Sequence, residues 1–126
     1  MTARRLEPGP DHPITVAPTD DRVVVRFGET IVAETTGSLT LREAEYPPVQ
    51  YVPLRDIDPT LLRESPTTTY CPYKGECHYY DLVVGDEVVA DAVWTYRTPY
   101  DAVADIVDHA AFYPGKVDVA VAGGSD

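Results

Sequence analysis

Hydrophobic positions along this chain recur mostly every second residue, in short runs cut by proline, glycine and aspartate. This period places alternate side chains on opposite faces of a strand. Ile14 to Ala17 reads as a short edge strand. Arg22-Val23-Val24-Val25-Arg26-Phe27 and Thr30-Ile31-Val32-Ala33-Glu34 flank Gly28-Glu29, a two-residue Gly-X loop of the kind a type II′ hairpin requires. Pairing across that loop sets Val25 opposite Val32 and Phe27 opposite Thr30. Ser38 to Glu43 alternates polar with apolar and makes another strand. It runs into Tyr46-Pro47-Pro48, where two prolines cannot donate to a ladder, so the chain leaves the sheet or lies on its edge. Val49 to Leu54 resumes an extended path.

The middle and end of the chain follow the same grammar. Asp58-Pro59-Thr60-Leu61-Leu62-Arg63 predicts a short helix, with Asp58 at the N-cap and Pro59 at the first helical position, ended by Ser65-Pro66. Val83-Val84 and Glu87-Val88 flank Gly85-Asp86, a second two-residue loop. Its register extrapolates to Leu82–Val89, Tyr80–Asp91, Tyr79–Ala92, Cys77–Trp94 and Gly75–Tyr96. Alternation then gathers Cys77, Tyr79, Val83, Val88, Ala92, Trp94 and Tyr96 on one face. His78, Tyr80, Leu82, Val89 and Val93 fall on the other. Neither face is purely polar, so this hairpin is expected to be central and covered on both sides. Asp101 to Asp108 predicts a second short helix with Val103, Ile106 and Val107 on one side. Ala110–Tyr113 and Lys116–Val121 form two closing strands around Pro114-Gly115.

The expected architecture is therefore all-β, one domain over residues 13–121 with two short helices. A loose, proline-rich arm of residues 1–12 precedes it, and a tail of residues 122–126 follows. A length of 126 residues suits a single core, and 12 prolines beside 8 glycines fit many short elements. The net charge of −11 repels phosphate backbones and anionic membrane surfaces, which argues against nucleic-acid and membrane partners. No apolar run reaches the roughly 18 residues of a membrane helix, so a cytoplasmic protein, monomer or homodimer, is expected. Two cysteines, Cys71 and Cys77, make no disulfide framework and no C-x-x-C metal knuckle, and the three histidines lie scattered. Neither a metal nor a cofactor is expected.

The chemistry concentrates in Tyr70-Cys71-Pro72-Tyr73-Lys74-Gly75-Glu76-Cys77-His78-Tyr79-Tyr80, which holds both cysteines and one of only two lysines. Pro72 drives Cys71 into an extended conformation. Lys74, three residues on, can bring an ammonium to the thiol and raise its thiolate fraction. Cys71 is thus either a nucleophilic or redox thiol, or a small buried side chain beside Trp94. Lys74 either anchors a ligand carboxylate or phosphate, with Gly75 allowing close approach, or pairs with Glu43 or Asp56 to hold the loop. Glu43 and Asp56 are the candidate proton-moving groups. Tyr51, Tyr73, Trp94 and Tyr96, with Tyr79, can line an aromatic pocket where the sheet meets the Tyr46–Pro53 loop, a usual setting for a small ligand.

Tyr46-Pro47-Pro48-Val49 with Tyr51, Pro53 and Asp56, then Cys71-Pro72-Tyr73-Lys74-Gly75, Trp94-Thr95-Tyr96 and Ala111-Phe112-Tyr113, resemble the family catalogued as domain of unknown function 427. The resemblance spans roughly residues 13–121, with the motifs in the family's order. It implies a fold similar to the β-tent, two antiparallel sheets packed at a steep angle. Zinc knuckles of β-tent relatives are not carried over, because the C-x-x-C pairs are missing. Some members are labelled nucleotidyltransferases. That chemistry needs Mg²⁺-holding carboxylates and a glycine-rich phosphate loop, whereas Gly37-Ser38 has no D-x-D after it and no P-loop pattern occurs. The functional expectation is a small-molecule-binding domain, with or without catalysis, built on Cys71 and Lys74. The alternative is a protein-interaction or homodimerisation module in which the same aromatics meet a partner.

Overall fold

The computed structural model describes residues 5–121, so the tail from 122 onward lies outside the described residues. Among the described residues ten strands form: β1 Ile14–Pro18, β2 Val23–Phe27, β3 Thr30–Thr35, β4 Leu39–Glu43, β5 Val49–Pro53, β6 Leu62–Cys71, β7 Gly75–Val84, β8 Glu87–Thr95, β9 His109–Phe112 and β10 Asp118–Val121. Every pairing is antiparallel. The large sheet runs β1-β4-β5-β9-β8-β7-β6 and the small one β10-β2-β3. The all-β, two-sheet expectation therefore holds. Val23, Val25 and Val32 of the small sheet pack with Val52, Leu82, Val93 and Phe112 of the large one to form the core between them.

Several local expectations need correction, each for a visible reason. In the first hairpin Phe27 faces Thr30, as expected, but Val25 faces Ala33, because the register shifts beyond Arg26–Ile31 and leaves Val32 as an extra residue. In the second hairpin Leu82–Val89 is correct, but the register then shifts. Tyr80 pairs with Val93 and Tyr79, not Cys77, faces Trp94. The cause is Asp91, with φ +51°, whose N–H donates to the Asp81 carboxylate at 2.9 Å instead of to the ladder. Ser65 and Thr67 hydroxyls donate to the Asp91 carboxylate at 2.5 and 2.9 Å and carry the irregularity into β6. The slip is two residues, so Trp94 stays on the Tyr79 face, while Ala92 joins the opposite, inter-sheet core.

The expected helix at Asp58–Arg63 shrinks to a 3₁₀ turn over Pro59–Leu61, capped by Asp58 through Thr60 N at 3.0 Å. Leu62 already begins β6, and that strand runs through Pro66. An edge strand tolerates a proline at a bulge, since a missing donor there breaks nothing. The second helix is also 3₁₀, Asp101–Ile106, kinked at Val103. Val103 and Ile106 are buried, but Val107 is exposed. The two closing strands do not pair with each other: the turn at Pro114-Gly115 passes the chain from β9 in the large sheet to β10 in the small one.

Ahead of β1, residues 5–12 lie on the body. Leu6 N donates to Pro72 O at 2.8 Å, and the Arg5 guanidinium sits 4.3 Å from the centre of the Tyr100 ring. The strap therefore crosses the segment that carries Cys71 and Lys74.

Candidate functional site

Strand alternation gives the β4–β5 portion of the large sheet two different faces. Leu41 and Tyr51 turn to one side, with Cys77 of β7 and Tyr96 just beyond the end of β8, in a second core cluster. Glu43, two residues beyond Leu41, shares that side at the end of β4. Opposite it, Cys71-Pro72-Tyr73-Lys74 makes the tight connection between β6 and β7, with Lys74 N donating to Cys71 O at 3.2 Å. The turn points Lys74 inward, and its side chain is buried.

The Lys74 ammonium donates to Glu43 Oε1 at 2.5 Å and lies 3.8 Å from Cys71 Sγ. His12, from the strap, donates through Nε2 to the other carboxylate oxygen at 2.7 Å. The His12 ring stacks on Tyr73, with centroids 4.1 Å apart and planes 7° from parallel. Burial alone would raise the Glu43 carboxyl, but its hydrogen bonds to Lys74 and His12 together outweigh that and hold it below the usual value. Glu43 is therefore an ionised acceptor clamped between two cationic or proton-carrying groups.

Beside this pair opens a half-open hollow of about 400 Å³. Glu43 and Lys74 contribute its charged groups, and Tyr46, Tyr51, Tyr79, Trp94, Tyr96 and Tyr113 its aromatic walls. Trp94 Nε1 donates to Tyr51 Oη at 3.1 Å, and the two rings meet edge to face. Burial pushes the Tyr51, Tyr79 and Tyr96 hydroxyls up, so all three stay neutral near pH 7. Burial also pushes the Cys77 thiol up, against the opposing hydroxyls of Tyr79, Tyr96 and Thr69.

Of the residues singled out from the sequence, the structure brings together Glu43, Tyr51, Lys74, Trp94 and Tyr96 around one hollow. Cys71 stands behind Lys74 rather than in the wall, and Tyr73 is taken up by His12. Asp56 lies elsewhere, accepting from Thr35 Oγ1 at 2.6 Å. Gly75 has φ +112°, but what approaches it is the Thr98 carbonyl, which an added Cβ would meet at 3.3 Å, not a ligand. Sequence reasoning missed His12, which sits 31 positions from Glu43 and in a stretch without periodicity. It also missed Tyr113, which tilts onto Trp94 at 4.5 Å.

Among the described residues no three His, Cys, Asp or Glu side chains gather as metal ligands would. No helix there is long and apolar enough to cross a membrane. A search of the curated proteins finds no match to the chain. The family described as Domain of unknown function (DUF427) matches over residues 15–123, and the chain belongs to that family.

Proposed function

We propose that the hollow beside Lys74 and Glu43 binds a small molecule with a flat body and a hydrogen-bond acceptor. The observation that supports this most is the burial of an ion pair in the wall of an aromatic cavity. Such a pair is a poor source of stability, because desolvation offsets most of its attraction. Its retention next to open space points to recognition. The pair is close to charge-neutral, so the site favours an uncharged or singly anionic ligand over a cation. Lys74 carries three N–H bonds. One goes to Glu43 and a second faces Cys71, which leaves one for a carbonyl or carboxylate oxygen of the ligand.

Tyr51, Trp94 and Tyr96 would stack or edge against the flat body, where an aromatic pair adds about 0.5–1.5 kcal/mol beyond area burial. A hollow, rather than a flat apolar face, favours this reading over a protein partner. It goes with a cytoplasmic location, where Cys71 and Cys77 remain reduced thiols.

A thermal-shift screen of metabolites against wild type, Lys74→Met and Tyr46→Ala tests it. Tyr46 lines the hollow yet is 66% exposed, so its removal spares the fold. Ligands that stabilise wild type should lose most of their effect in both variants. Hits that stabilise all three equally would refute the site.

A further inference from the structure

A larger cleft, of about 600 Å³, opens on the opposite face of β4 and β5 and meets the first hollow only at Val49 and Trp94. It lies where the two sheets diverge. Thr40, Arg42 and Gln50 form its wall on the large sheet, and Val119 and Val121 of β10 form the wall on the small one. Trp94, Phe112 and Pro114 make an apolar floor, and Asp20 and Asp21 stand at one end.

Polar bookkeeping at this cleft leaves donors over. Gln50 Oε1 accepts from Thr19 Oγ1 and Ser38 Oγ, both at 2.8 Å, while Gln50 Nε2 donates to Thr40 Oγ1 at 3.0 Å. One of the two Gln50 amide hydrogens therefore has no partner among the described residues. Among the described residues Arg42 makes no ion pair, although most arginines of this acidic chain do. Asp20 and Asp21 likewise have no cationic partner there. Opposite charges thus stand unpaired at the two ends of one cleft.

Their separation follows from the register. Thr19 N donates to Ser38 O at 2.8 Å and marks the acidic end, while Arg42 stands four residues further along β4. Four residues at about 3.3 Å each place the ends about 13 Å apart at the backbone. The Arg42 side chain takes up part of that span, leaving room for two or three extended residues, which cover about 7–10 Å. β10 is the edge strand of its sheet and has no ladder partner on one side among the described residues. A free strand edge is what an extended peptide pairs with.

We propose that this cleft binds a short peptide of two or three residues with free termini and an apolar side chain. The peptide ammonium meets Asp20 and Asp21, and its carboxylate meets Arg42 and Gln50. The side chain lies on Trp94 and Phe112, with the peptide backbone along β10. The site is separate from the hollow beside Lys74 and stands or falls without it.

The test uses the tripeptide Ala-Leu-Ala with free termini beside its N-acetylated and C-amidated forms, titrated into the full chain and followed by amide NMR and calorimetry. The free peptide should bind saturably, with shifts at Thr40, Gln50 and Val119. Each capped form should bind about tenfold or more weakly, the loss expected for one charged hydrogen-bond contact. Arg42→Gln should weaken the free peptide to the level of the amidated one and weaken the amidated one no further. Arg42 is exposed, and the capped peptides test the same contacts on wild type. No saturable binding, equal binding of capped and free forms, or shifts centred on Lys74 and Gly75 would overturn the proposal.

Discussion

The two core clusters of this molecule are built from different materials. The one between the sheets is almost wholly aliphatic: Val23, Val25, Val32, Val52, Ile57, Leu82 and Val93, each at most 2% exposed. The one on the far side of the large sheet contains Tyr51, Cys77 and Tyr96 and borders the Lys74–Glu43 pair. The first cluster maximises dry contact and leaves no reason for polar groups. The second encloses hydroxyls, a thiol and charges that each need a specific partner, and it stops short of filling its space. Stability and chemistry are therefore assigned to opposite faces of one sheet, and mutations should separate them.

The largest effect should come from the dry side. Leu82→Ala removes a fully buried side chain between two sheets, and about 3–5 kcal/mol of unfolding free energy should go with it in a urea titration. A loss under about 1 kcal/mol would mean that the inter-sheet contact is not the main source of stability. Lys74→Met comes next. It leaves Glu43 ionised and half-desolvated with only His12 to meet it, at a cost of about 2–3 kcal/mol. The double variant Lys74→Met with Glu43→Leu should recover most of that loss, since an apolar pair of similar volume avoids the desolvation. If the double variant is as unstable as the single one, the pair is structural and the contrast between the clusters weakens.

That contrast also explains what could be read from the sequence. Alternation identified both hairpins, the strand nature of Leu39–Glu43 and the face shared by Cys77, Tyr79, Trp94 and Tyr96, because those signals are local. The register beyond Leu82 could not be read, because one side chain, Asp81, takes up the Asp91 N–H and ends the simple count. β6 was hidden by Pro66, which usually breaks a strand but here sits on a free edge at a bulge. Lys74 was recognisable as one of two lysines in an acidic chain, and Glu43 was one of its two proposed partners. His12 was not recognisable, because its role depends wholly on where the strap lies after folding.

A smaller effect distinguishes the two thiols. Cys71 is half-buried, with the Lys74 ammonium 3.8 Å from its sulfur, while Cys77 is 2% exposed and its thiol is pushed up by burial. Iodoacetamide should alkylate Cys71 faster by about tenfold or more, and Lys74→Met should slow it. Equal rates at the two positions would place both sulfurs in the same environment. A Cys71 no faster than free cysteine would remove it from any nucleophilic role and leave it as a packing residue behind Lys74.

The smallest expected effect is the dependence of stability on pH, and its sign is fixed by Glu43. Burial raises the carboxyl, but the hydrogen bonds from Lys74 and His12 lower it further, so the folded protein holds Glu43 below its ordinary value of 4.5. A carboxyl that is more acidic when folded adds stability once the pH exceeds the unfolded value. That contribution should be complete above about pH 5 and disappear as the pH falls through the lower, folded value. Glu43→Gln removes the titrating group and should flatten this part of the profile without changing its alkaline side. Asp58 and Asp81 are also lowered, by Thr60 and by the Asp91 amide with Arg63, so the variant's profile keeps their slope. The difference between the two profiles, rather than the acid slope itself, isolates Glu43. A wild-type stability that falls relative to the variant as the pH rises toward neutral would mean that burial prevails over Lys74 and His12, and that the clamped carboxylate is not the charged half of the site.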